Sequence, residues 1–390
     1  MLVTLIVLAL SCSRMEPAAR RSEETLDGTV DGLTYGQQAQ HLAGDEAFNE
    51  QIFTSETGLG PVFVATSCGS CHAGDGKGHP FTTLIRFGQV DSTGNHFLSL
   101  GGPQLQNIAV PGYTPEQIPA GATFSKFTPP INSGLGFLEL VPDGDILAMA
   151  AANFNNTDGV RGHPNWNYVP GYVKPRAEAI SINGKYIGRF GKKAAVYSLL
   201  QQTVGAYNQD IGITSTYDEY DTYSLNAIDP ELTNKTVLDV VFYLQTLKAP
   251  VQRNANDPDV TKGKTLFIQS GCETCHKQTL KTGNSSIESL SNKEFHPYTD
   301  LLVHDMGPGL DDGYTEGNAK TPEWRTAPLW GLGLAPNSQG GEFYLLHDGR
   351  ARSIEEAILL HGGEALVSKN NFAHLSPADK DALVSFLKSL

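Results

Sequence analysis

Apolar residues recur at helical spacing in three stretches of the chain. Near the C-terminus, Leu383, Phe386, Leu387 and Leu390 fall at i, i+3, i+4 and i+7, which is one face of a helix. Ser376-Pro377-Ala378-Asp379 lies just ahead and offers a capping hydroxyl with proline in the first turn, so a helix is predicted from there to the end. Between about 234 and 248, Val237, Val241, Leu244 and Leu247 line one face of a second helix. In Gly263-Lys264-Thr265-Leu266-Phe267, Gly263 and Phe267 share a face of a third. The strict alternation that marks half-buried strands is weak throughout, and the fold class reads as mainly α with long loops.

Residues 249–259, with Pro250, Asn254, Asn256 and Pro258, read as a linker. They separate packed regions at about 45–248 and 260–390 and divide the chain into an N-terminal domain, 25–250, and a C-terminal domain, 251–390. The first is enlarged by Pro/Gly/Asn-rich insertions near 101–135 and 153–190, expected to cover a site.

Composition narrows the function classes. With 39% hydrophobic and 18% charged residues, the 390-residue chain is globular. Forty-two acidic against 28 basic residues give a net charge of −14, which argues against a nucleic-acid partner and fits a cationic one. The apolar run at 2–10 is far shorter than the ~20 residues of a membrane span. With its abrupt polar end it reads as an export signal within residues 1–24, although it lacks an N-terminal Lys or Arg. Ala9-Leu10-Ser11-Cys12 loosely resembles a lipobox, in which Cys12 is lipidated; secretion with an incidental cysteine is the alternative. Either way the chain is expected in the periplasm, touching a membrane only through such an anchor.

The remaining four cysteines sit in two pentapeptides, Cys68-Gly69-Ser70-Cys71-His72 and Cys272-Glu273-Thr274-Cys275-His276. C-x-x-C-H is the attachment sequence of a c-type haem. Two thiols form thioethers with the two vinyl groups of one porphyrin, and the next imidazole reaches the iron from below. A lone copy could be a redox dithiol or half a zinc site. Two copies that use every cysteine beyond Cys12 point to two covalent haems, with His72 and His276 as iron ligands.

Longer motifs carry a resemblance. They include Gly134-Leu135-Gly136-Phe137-Leu138-Glu139, Ile187-Gly188-Arg189-Phe190-Gly191, His304-Asp305-Met306-Gly307-Pro308-Gly309-Leu310, Glu323-Trp324-Arg325-Thr326-Ala327-Pro328, Leu346-His347-Asp348-Gly349-Arg350 and Ile354-Glu355-Glu356-Ala357-Ile358-Leu359-Leu360-His361-Gly362-Gly363. From about residue 35 to 390 the chain resembles the bacterial di-haem oxidoreductases, described as peroxidase-type or thiol oxidoreductase-like. These are related in turn to di-haem cytochrome c peroxidases and to the di-haem enzyme that matures methylamine dehydrogenase. The resemblance implies two cytochrome c-like domains facing each other, one haem passing electrons and the other meeting peroxide. No cysteine is left for thiol exchange.

The same resemblance implies roles for single residues. His361 stands where the peroxidases carry a methionine as distal ligand of the second haem, so His276/His361 ligation is expected, with a lower potential than His/Met. Glu139 is placed as the distal acid–base group at the first haem. His347 is expected beside a haem, Met306 is a further candidate ligand, and Arg189 and Arg325 are candidates to pair with propionates. Where relatives often carry a tryptophan, this chain has Lys192-Lys193; of its three tryptophans, Trp330 is the one expected nearest a haem. An interdomain calcium is possible but not supported, because Glu342-Phe343-Tyr344 stands where the peroxidases carry a Thr-x-Pro. The expected activity is a di-haem oxidoreductase served by a small periplasmic electron donor or acceptor, reducing peroxide or using it on another substrate. The alternative is a di-haem carrier with both irons closed.

Overall fold

A computed structural model describes residues 22–88 and 95–390. Cys12 and the expected export signal lie outside the described residues. Two crossed helix pairs organise the molecule. The helix α1 (Tyr35–Asp45) opens with a capping box between Thr34 and Gln37 and runs into a π turn, Glu46–Glu50, that carries Phe48. It crosses α2 (Asn234–Thr246), which Thr233 caps by accepting from Thr236 N at 3.1 Å. The second pair is α3 (Pro258–Gln269), capped by Asp257, and α4 (Pro377–Ser389), capped by Ser376.

The two crossings repeat one design. Gly44 of α1 lies so close to α2 that a Cβ there would overlap Asp239 O and the Tyr243 side chain. Gly263 of α3 meets Ala382 O and Phe386 of α4 in the same way. Four residues after each glycine an aromatic ring follows: Phe48 packs 5.6 Å from Tyr243, and Phe267 packs 5.4 Å from Phe386. Only a residue without a side chain lets the helices approach closely enough for those rings to meet.

Between the helices the chain runs through loops pinned by very short ladders. Leu84–Gly88 pairs antiparallel with Thr123–Phe127, and Val303–Asp305 with Glu323–Arg325, which sets His304 opposite Trp324. Segments of two to five residues are too short to show an alternating pattern, which is why the sequence gives little sign of them. The larger core gathers Phe48, Val237, Val241 and Leu244, and also takes in Leu280, Phe295, Leu301, Leu302 and Trp330 from beyond the linker. The smaller core holds Val260, Phe267, Leu383, Phe386, Leu387 and Leu390. The linker itself is fastened to the end of α4, where Arg253 N donates to Ser389 O at 2.8 Å and Arg253 Nη2 to Lys388 O at 2.6 Å.

Candidate functional site

Each pentapeptide closes a single turn. His72 N donates to Cys68 O at 3.1 Å, and His276 N to Cys272 O at 3.0 Å, so the imidazole follows directly from the pair of thiols. The four cysteines form no disulfide. Burial pushes the thiols up, to about 12 for Cys68 and Cys272 and about 11 for Cys71. Thiols held in that form are poor exchange nucleophiles.

The imidazoles are set with equal care. His72 Nδ1 lies 3.1 Å from Pro130 O, and His276 Nδ1 lies 2.9 Å from Tyr298 O. A carbonyl oxygen only accepts, so Nδ1 carries the proton in both rings and Nε2 presents its lone pair. His361 follows the same rule inside its own helical turn, with Nδ1 2.7 Å from Ala357 O. Burial lowers all three, His72 and His276 to about 4, which holds them neutral. Neutral imidazole with a fixed tautomer is the metal-binding form. Phe48 and Phe267, the aromatic residues of the two helix crossings, pack 5.9 Å from His72 and 6.4 Å from His276.

His276 and His361 open onto one cavity of about 290 Å³, together with Cys272 and Cys275. Met306, Arg325 and His347 also line it. Trp330 lines it too, and its buried indole Nε1 has no partner among the described residues. Two thiols on one turn, two imidazole lone pairs, apolar walls and an unused donor form a set that fits a haem. A separate cavity of about 360 Å³ lies beside Cys71, bounded by Phe63, Thr82, Leu105 and Ile108.

His347 is held by charge and by stacking. Its Nε2 donates to Asp312 Oδ2 at 2.8 Å, and its ring lies on Trp324 at 3.7 Å and 8°. Lys193 Nζ sits 3.9 Å from the same indole; two groups so close to one ring occupy opposite faces. Three backbone carbonyls, of Lys320, Thr321 and Glu323, accept from that ammonium. His347 is therefore a packed wall residue, its Nε2 already spent on Asp312.

Two expected site residues are held by local partners outside these cavities. Glu139 lines neither cavity: its Oε1 accepts from Leu199 N at 2.7 Å and its Oε2 from Gln245 Nε2 at 2.7 Å. It takes a free N–H of the first turn of the helix Leu199–Ala206, which Ser198 caps, and ties that helix to α2. Arg189 lines neither cavity either; it is fully buried, paired with Asp143, and donates to Ile187 O and Val141 O at 2.9 Å. An isolated glutamate in an apolar run and an arginine beside glycines gave no sequence sign of these local partners.

Other groups at the site emerge only from the structure. His304 bridges Asp300 (Nε2 at 3.0 Å) and Glu364 (Nδ1 at 2.8 Å) and lies 3.6 Å from Cys275 Sγ. Burial opposes its charge, but Asp300 overrides burial and holds His304 well above the usual histidine range. Glu364 also accepts from Arg161 N and Asp305 N, which anchors the turn just after His361. Lys77 and Lys192 reach the cavity of His276 and His361 as well. No spacing rule would have singled out Lys77, Asp300 or Glu364.

A sequence profile described as "Di-haem oxidoreductase, putative peroxidase" matches residues 125–390. Three solved structures are similar at low identity. A hydrazine synthase from Kuenenia stuttgartiensis aligns over 96% of this chain and 98% of its own, at 14% identity and a TM-score of 0.38. The diheme peroxidase BthA from Burkholderia thailandensis aligns over 90% and 86%, at 15% and 0.42. A MauG-like protein associated with microbial copper homeostasis aligns over 66% and 88%, at 15% and 0.33. No curated protein matches the chain.

Proposed function

Because the chain belongs to the di-haem oxidoreductase family, we propose that it is an exported, peroxidase-type enzyme in which electrons pass between two covalently held haems. The carrying observation is the common setting of His72, His276 and His361: each donates Nδ1–H to a backbone carbonyl and keeps Nε2 for a metal. Cys68 and Cys71 would hold one haem and Cys272 and Cys275 the other, one in each cytochrome c-like half, 25–250 and 251–390. When bound, the haems supply electron transfer and reduction of peroxide, which takes two electrons and two protons to give two waters. His276 and His361 share one cavity and would close the second iron from both sides, which marks that haem as the electron-transfer centre. The first centre is then the one that meets peroxide. Met306, His347 and Arg325 serve as walls of the second site, and a small cationic protein suits the acidic chain as electron partner.

Periplasmic export through residues 1–24, with Cys12 as the lipidated residue, belongs to the same reading. Among the described residues no helix is long and apolar enough to cross a membrane. Protein matured in a competent periplasm should give a pyridine haemochrome of two haems per chain. Its EPR spectrum should show a low-spin His/His haem and, at least after half-reduction, a high-spin haem that answers to peroxide. His361→Ala should convert the low-spin signal to high-spin, and His361→Met should raise that haem's potential. Two low-spin haems indifferent to peroxide and cyanide would leave a carrier instead.

A further inference from the structure

Four cations line the cavity shared by His276 and His361: Lys369, whose charge acts on His361, and a group of three, Lys77, Lys192 and Arg325. This is unexpected in a chain with a net charge of −14. The group of three arrives from separate segments. Lys77 sits just after the first pentapeptide, in a loop held to the C-terminal half by Ser338 Oγ on Lys77 O (2.7 Å) and Gln339 Nε2 on Gly78 O (2.8 Å). Lys192 and Arg325 are joined through the backbone, Arg325 N donating to Lys192 O at 2.9 Å, while Arg325 Nε donates to Gly191 O at 3.0 Å.

The acids that act on these cations are already engaged. Asp348, whose charge supports Lys77 and Lys192, is bound by Arg350 Nε at 2.6 Å; Asp300, whose charge supports Arg325, is bound by His304 at 3.0 Å. Lys77 and Arg325 both act against the charge of Lys192, and desolvation lowers Lys77 to about 8 and Arg325 to about 10. Among the described residues Lys77 Nζ reaches only the carbonyl of Leu346, at 3.4 Å, and half-buried cations gathered on one cavity favour an anion among them. Pro130, whose carbonyl holds His72 Nδ1 at 3.1 Å, lines the same cavity, so the cluster lies near both candidate centres.

We propose that Lys77, Lys192 and Arg325 form one seat for haem propionate carboxylates between the two centres, and that their charge sets the potentials of both irons. The proposal rests on the di-haem reading above. A covalently attached haem at Cys272 and Cys275 brings carboxylates into this same cavity. A fixed positive charge beside a haem favours the reduced state, which carries one more electron. The position where relatives carry a tryptophan thus holds an electrostatic group, Lys192.

The test uses the full haem-loaded protein with Lys192→Met, Lys77→Met and Lys192→Arg. Redox titration should show lowered midpoint potentials in both Met variants, and resonance Raman should show a shifted propionate bending band; Lys192→Arg should keep both near wild type. If one Met variant fails to mature, the other carries the test. Unchanged potentials and an unchanged band in the Met variants overturn the proposal. So does a wild-type potential that moves on adding inorganic phosphate while that of Lys192→Met does not, since the seat would then take a free anion. A wild-type haemochrome below two haems per chain overturns the di-haem reading itself, which separates the two failures.

Discussion

At the scale of the residue, two carboxylates show how partners decide a role. Both oxygens of Glu139 are taken, one by the first turn of the helix Leu199–Ala206 and one by Gln245 of α2. Glu139→Gln keeps one acceptor and sets an amide against a donor. It should cost about 1–2 kcal/mol in denaturant unfolding while leaving peroxide turnover within a few-fold of wild type. A loss of turnover of about 100-fold or more would return Glu139 to proton transfer. Asp312 is a different case. Burial alone would raise it, but hydrogen bonds from His347 and Ser125, with the charge of Arg350, hold it down at about 2, against 3.8 unperturbed. A depressed folded value adds stability that is present above pH 3.8 and lost as pH falls through about 2. Melting temperatures of wild type and Asp312→Asn should therefore differ most above pH 4 and converge toward pH 2. A constant gap across that range would refute the assignment.

At the scale of the element, the two crossings depend on the missing side chains of Gly44 and Gly263. Each faces a backbone carbonyl that cannot swing aside. Gly263→Ala should cost about 1–3 kcal/mol, read as a lower urea midpoint, and Gly44→Ala should cost a similar amount. An alanine tolerated at both positions would mean that the helices have room to part. The α4 helix and its cap at Ser376 were legible, because four apolar residues at helical spacing behind a Ser-Pro signal leave few alternatives. The helix predicted over 234–248 runs from Asn234 to Thr246. Gly263 and Phe267 were visible as a pair, but their counterparts Gly44 and Phe48 were not matched to them, because a longer loop separates Gly44 from its pentapeptide. The two pentapeptides stood out in the sequence because thiols and an imidazole at one fixed spacing, given twice, are rare by chance. Lys77 and Glu364 did not, since each gains its place only when a distant loop folds back beside it.

At the scale of the whole molecule, charge and connection set how partners and halves meet. The excess of acidic residues predicts that electron exchange with a cationic cytochrome slows steeply as salt rises from 10 mM to 0.2 M, while exchange with an anionic one does not. Equal salt dependence for both partners would rule out steering by net charge. The sequence divides at the linker, but the packing crosses it. Leu280, Phe295, Leu301 and Leu302 lie beyond the linker in sequence, yet they pack into the larger core. The linker is itself stapled: Arg253 holds Lys388 O and Ser389 O, and Gln252 Nε2 holds Ser389 Oγ at 3.0 Å. What joins the halves is shared packing, since residues from beyond the linker complete the larger core. On the proposed di-haem reading, the distance an electron would tunnel is then set when that common core forms.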